Sequence, residues 1–204
     1  MSKTNISLAI KPTEFFREKV QAALSRQGIE ISEEIEFYLV TLLCDFINPS
    51  KVDTAHGTLD PLETPLALLL KAALESPHEH QYKLYKTIGD TSLYMAGYFQ
   101  DSFNEKTVSS KYFMDLGASA YLTVSTLSER NPTLQHPSRV FTSLSASFPD
   151  FVDIIADIAE KLEQDTQGLL ATYTRWQRSQ SKRLEKTLLD FGLLPHVDTT
   201  KHRQ

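Results

Sequence analysis

Apolar residues recur at helical spacing along nearly the whole chain, and proline and glycine fall where helices begin and end. That agreement constrains the fold more than anything else in the sequence. PTEFFREKVQAALSRQG sets Phe15, Val20 and Leu24 on one face and stops at Gly28, the residue expected just past a helix C-terminus. SEEIEFYLVTLLCDFI starts at Ser32 as N-cap. It is apolar nearly all round from Phe37 to Ile47, the pattern of a helix buried on every side, and Pro49 closes it.

The polar connection NPSKVDTAHGTLDPLET leads to a short helix, PLALLLKAALES. Ser76, Pro77 and Glu79 then spell a capping box with proline in the first helical position, opening a helix expected to end near Ser102. SSKYFMDLGASAYLTVSTLSE places Phe113, Leu116, Ala120, Val124 and Leu127 on one stripe and stops before Asn131 and Pro132. Its end, YLTVSTL, also alternates as a strand would. Pro137 and Pro149 each open a further helix, the second carrying Val152, Ile155, Ile158 and Leu162, and a last one runs from about Asp165 to Phe191 before Gly192 and Pro195. The expected fold is an all-α single-domain bundle of about seven or eight helices. Residues 1–12 form an extended arm, 13–195 the helical domain and 196–204 a tail.

A chain of 204 residues can bury roughly 70% of its unfolded surface as one domain. Seven glycines and nine prolines leave no collagenous or low-complexity segment. The single cysteine, Cys44, excludes a disulfide framework within one chain and suits a reducing cytosol. The short run ISLAI is no signal-peptide core, and PLALLL is broken by Lys71 well before the ~20 residues of a membrane span, so a soluble cytoplasmic protein without a transmembrane segment is expected. A net charge of −5 argues against wrapping nucleic acid over the whole surface.

Gly89, Ser92 and Ala96 share one narrow helix face, and Gly117 and Ala120 another, as close helix packing requires; a flat cofactor lying there is the alternative. Asp90 falls in the same sector as Lys83, Lys86 and Asp101. It is expected at the solvent edge, with Lys86 one turn before it as a weak partner, and Asp115 is expected to be wet as well. Metal-ligating candidates are Asp53, His56 and Asp60 in the connection and His78 and His80 at a helix start; no paired Glu-x-x-His motif is present, and no cofactor is expected. Cys44 lies among Leu42, Leu43 and Phe46, where cysteine is inert packing. The sequence has no G-x-S-x-G elbow, no G-x-G-x-x-G and no phosphate-binding P-loop. Arg175, Arg178, Lys182 and Lys186 make a basic stripe along the last helix.

In EFYLVTLLCDF, YKTIGDTSLYMAGYFQDS, YFMDLGASAY and RWQRSQSKRLEKTLLDFGLLP, the chain resembles a family of bacterial all-helical cytosolic proteins that carry no assigned activity. The resemblance runs from about Glu36 to Pro195 and implies a bacterial cytosolic protein with no catalytic residues to carry over. From the residues, a non-enzymatic module is expected, binding another protein or itself through Tyr94, Tyr98, Tyr112 and Tyr121 and the basic stripe, with a regulatory role open. Two alternatives stay open. One is a helical-bundle enzyme or carrier holding haem or metal through His56, His78 or His80; the other is a nucleic-acid binder using the last helix.

Overall fold

The computed structural model describes residues 11–47, 50–54, 57–100, 110–130, 136–179 and 181–190. Among them it has eight helices, α1 (Pro12–Gln27), α2 (Glu33–Asp45), α3 (Leu66–Glu75), α4 (His78–Tyr98), α5 (Ser110–Arg130), α6 (Ser138–Ala146), α7 (Phe148–Ser179) and α8 (Lys182–Asp190), and a small hairpin, β1 (Val52–Thr54) with β2 (Gly57–Leu59). The fold is all-α, as the periodicity requires. The chain divides into two compact units, Pro12–Ala159, and Met1–Lys11 with Glu160–Gln204. No described helix is long and apolar enough to cross a membrane.

Helix ends follow the local chemistry at several points. Gly28 takes φ 66°, and the Ile29 N–H turns back onto the Leu24 carbonyl at 3.1 Å to close α1. Ser32 caps α2, its hydroxyl accepting from the Ile35 N–H, while Glu33, Glu34 and Glu36 place negative charge on the first turn. Pro137 precedes α6 as its N-cap.

The first unit is organised around α4. Val52, Leu66, Leu69, Ala73, Leu84, Ile88 and Ala120 form one core cluster, so the hairpin and α3 pack on the α4–α5 pair. On the other side Phe141, Leu144, Phe148, Ile154, Ile155 and Ile158 are all at most 1% exposed, each worth about 1.5–3 kcal/mol of apolar burial. The glycines set how closely these helices approach. A Cβ built on Gly89 would stand 2.5 Å from the Tyr121 ring, one on Gly117 would stand 2.3 Å from the Phe148 ring, and one on Gly97 would stand 2.6 Å from Ile155 Cβ. Real Cβ contacts are essentially never that short, so neighbouring side chains occupy these notches.

Five local expectations are corrected. The connection between α2 and α3 contains an antiparallel hairpin, with Val52 opposite Leu59 and Thr54 opposite Gly57, because Val52 is buried and Gly57 supplies φ 125° at the turn. Ser76 is the C-cap of α3, its N–H bonded to the Ala73 carbonyl, and α4 has Pro77 as N-cap with no side-chain cap; the Gln81 amide donates to the Ser76 carbonyl instead. The helix carrying IGDTSLYMAGYF ends at Tyr98, capped by Phe99, short of Ser102. No break separates Leu162 from Asp165: α7 runs unbroken to Ser179, with Gln164, Thr166 and Gln167 each bonded one turn back. Finally, α2 buries Tyr38, Leu39, Leu42 and Leu43 but leaves Phe37 53% exposed, so it lies at the edge of the bundle. YLTVSTL is helical throughout.

Candidate binding site beside Asp90

Three successive turns of α4 present Tyr82 and Lys83, then Lys86 and Thr87, then Asp90 and Thr91 along one side of the helix. Asp90 is the hub. Its Oδ2 accepts from Lys86 Nζ at 2.6 Å, and its Oδ1 accepts from the hydroxyls of Tyr121 at 2.8 Å and of Tyr38. Lys86 Nζ also lies 5.0 Å from the centre of the Tyr38 ring, within reach of its negative face. The Asp90 side chain is only 15% exposed, and Tyr38 and Tyr121 are 2% and 0% exposed. The expectation of a solvent-edge aspartate is therefore corrected, although its pairing with Lys86 is present. The helical wheel places Asp90 beside two lysines, but it cannot reveal that α2 and α5 bring tyrosines over that sector.

Burial, then the charge of Asp90, holds the phenols of Tyr38 and Tyr121 well above their ordinary range, so both are fixed as neutral hydrogen-bond donors. Tyr82 is pushed up to about 12, first by burial and then by Asp90, with the backbone of His136 opposing. The ring of His136 meets that of Tyr38 edge-on at 5.2 Å, and burial followed by the charge of Lys86 lowers its pKa against the opposing pull of Asp90. Phe141 packs on the rings of Tyr38, Tyr82 and Tyr121 and closes the network from below. With three donors on one carboxylate, the network fastens α2, α4 and α5 together.

Over this network lies a cleft of about 460 Å³, walled by Leu42, Phe46, Val52 and Pro61 and edged by Lys51 and Lys83. Phe46 at its rim starts a ladder of rings: it stacks on Tyr94 at 4.1 Å, Tyr94 stacks on Tyr98 at 5.2 Å, and Phe99 meets both tyrosines edge-on. Tyr98 and Phe99 are 40% and 38% exposed, and Ile47 beside Phe46 is 61% exposed. A second cleft of about 550 Å³, lined by Leu62, Met95, Tyr112 and Phe113, shares Pro61 and Thr91 with the first.

The expected interaction residues separate into groups. Tyr94 and Tyr98 belong to the ladder and Tyr112 to the second cleft, whereas Tyr121 is fully buried on Asp90 and offers no surface. The basic stripe does not follow one continuous helix. Arg175 and Arg178 end α7, Lys182 and Lys186 lie on α8, and Arg175, Arg178 and Arg183 edge a shallow cleft of about 370 Å³ at that junction.

Of the metal candidates, Asp53 accepts from the Thr58 hydroxyl across the hairpin and Asp60 accepts from the Leu62 N–H. His80 is exposed. His56 and the side chain of His78 lie outside the described residues. Among the described residues no group of three His, Cys, Asp or Glu side chains is placed to hold a metal ion. Asp115 is 65% exposed, as expected, and the structure pairs it with Lys111 at 2.7 Å. Cys44 is partly buried, and burial raises its thiol pKa, with Thr13 opposing.

Sequence reasoning missed Tyr38, Tyr82 and Thr91. The only legible signal was the i, i+4 spacing of Tyr82, Lys86 and Asp90 on one face of α4. Compared with protein-family models, with curated proteins and with solved structures, the chain matches none.

Proposed function

We propose that the protein is a non-enzymatic helical binding module of the cytosol, and that the surface built from Phe46, Tyr94, Tyr98 and Phe99 receives an apolar segment of another protein. The observation that carries this reading is the ladder itself: four rings joined in one run of contacts, its outer two more than a third exposed, beside an exposed Ile47. Tyrosine and phenylalanine bring large contact areas with few rotatable bonds, which is why they dominate the energetics of interfaces. The Asp90 network supports the reading from below, because it fixes α2 against α4 and so holds Phe46 on Tyr94 before any partner arrives. The same network gives Asp90 a structural task, since three of the about four lone-pair sites of its carboxylate are taken by side chains of the fold itself.

A photo-crosslinking amino acid in place of Tyr98 tests the assignment, with Leu122, 56% exposed on α5, as the control position. The expected result is one partner captured at position 98 and absent at 122. That partner, once purified, should bind the wild-type chain and lose at least about tenfold in affinity to the Tyr98→Ala/Phe99→Ala double variant. Equal affinity for the two proteins refutes the reading. A crosslink to a second copy would make the chain its own partner, which sedimentation at rising concentration would register.

A further inference from the structure

We propose that the cleft beside Asp90 is also a binding site for a small organic anion, an apolar body bearing one carboxylate or phosphate group. The inference is independent of the ladder, which borders the cleft only through Phe46. Thr91 carries it. This residue is 2% exposed, lines the cleft, and its hydroxyl has no hydrogen-bond partner among the described residues. Every other described threonine beyond the first turn of a helix donates to the carbonyl four residues back. That bond is available in any helix, so a threonine that forgoes it in a buried place has its hydroxyl directed elsewhere. Tyr82 lines the same cleft, with its hydroxyl against the backbone of His136. The orphaned hydroxyl of Thr91 is what a bound polar group would satisfy.

Charge selects the sign of that group. Asp90 is already matched by Lys86, whereas Lys51 and Lys83 are exposed on the cleft and form no ion pair among the described residues; Asp45 at the rim is the one remaining acid. The cleft thus carries an excess of positive charge in a chain whose net charge is −5. Leu42, Phe46, Val52 and Pro61 supply the wall for an apolar body, and about 460 Å³ is the volume of a metabolite-sized pocket.

The probe is 1-anilinonaphthalene-8-sulfonate, an aromatic anion whose fluorescence rises on binding, titrated into the full chain and displaced by 1-naphthoate, 1-naphthyl phosphate, inorganic phosphate or 1-naphthylmethylammonium. The expected result is one saturable site that weakens with added salt and is emptied by a naphthyl anion but not by the naphthyl cation. Whichever of naphthoate and naphthyl phosphate competes better identifies the head group. Lys51→Gln/Lys83→Gln and Thr91→Val should each weaken binding at least about fivefold, while Lys111→Gln, away from the cleft, leaves it unchanged. Thr91→Val should also leave the thermal midpoint level or raise it, because an isosteric methyl replaces an unbonded hydroxyl. Equal displacement by the cation, parental affinity in the variants, or competition by inorganic phosphate as strong as that by naphthyl phosphate would overturn the proposal.

Discussion

Replacing Asp90 by asparagine removes one charge and no volume. In the wild-type chain Oδ1 takes both tyrosine hydroxyls and Oδ2 takes the ammonium of Lys86. An amide oxygen in the Oδ1 position still accepts from Tyr38 and Tyr121, but as neutral hydrogen bonds, about 1 kcal/mol weaker each than those to a carboxylate. The amide nitrogen then faces Lys86, donor against donor, and the ammonium must turn away from a site where it is 23% exposed, at a cost of roughly 0.5–1 kcal/mol. Together these give a loss of about 2–3 kcal/mol for Asp90→Asn. Asp90→Ala strands both buried hydroxyls, which raises the loss to about 3–5 kcal/mol. Urea melts near neutral pH measure both. Because the tyrosine bonds share one acceptor, a cycle with Tyr38→Phe should be non-additive: once Asp90 is alanine, losing the Tyr38 hydroxyl costs little or is favourable. A loss of no more than about 0.5 kcal/mol for Asp90→Asn, the value proper to a surface carboxylate, would refute this account of the network.

The glycine notches predict opposite signs for one substitution. Gly117→Ala and Gly89→Ala should destabilise by about 1–3 kcal/mol in urea melts despite alanine's better helix propensity, whereas Gly168→Ala, with nothing within 4 Å of its Cβ, should slow hydrogen exchange along α7 by the equivalent of roughly 0.5–1 kcal/mol. Ser92→Leu should behave like the first pair, since Ser92 is fully buried and its Cβ faces Gly117. Alkaline pH should unfold the protein through its tyrosines. Tyr38, Tyr82 and Tyr121 have folded pKa values raised above the ordinary 10, so their contribution is complete below about pH 10 and is lost as pH rises through the folded values, about 12 for Tyr82; urea midpoints near pH 8 and pH 11 should diverge, and less so for Tyr38→Phe. Cys44, its thiol pKa raised by burial, should react with a thiol-specific disulfide reagent more slowly than a free cysteine peptide at the same pH, and equal rates would contradict its placement.

The helices were legible because their signals are local. Gly28 past α1, Ser32 before α2 and Pro137 before α6 act through backbone geometry and hydrogen bonds within a few residues, so they read the same in a peptide and in the folded chain. The packing role of Gly89 and Gly117 was legible for the same reason, since a small residue on an apolar face has few other uses. Local signals failed where two elements competed for one residue. Ser76 could cap α4 or close α3, and only the path of the chain between the two helices decides for α3. The single α7 was missed because polar residues such as Glu163, Gln164 and Asp165 look like a connection in a sequence, yet they prolong a helix at no cost wherever that helix is exposed.

The sequence by itself determined an all-α chain, most of its helix boundaries, and the pairing of Lys86 with Asp90 one turn away, all of which depend on residues at most a few positions apart. The tertiary structure decided what Asp90 is for. Tyr38 and Tyr121 stand 52 and 31 residues from it in the chain, and their convergence on one carboxylate depends on how α2 and α5 pack against α4. The same packing decided which tyrosines face water: Tyr98 and Tyr121 carry identical side chains on neighbouring helices, one 40% exposed and one wholly buried. Side-chain chemistry fixes what a residue can do, but the dielectric, the partners and the access that select among those possibilities are properties of the assembled helices.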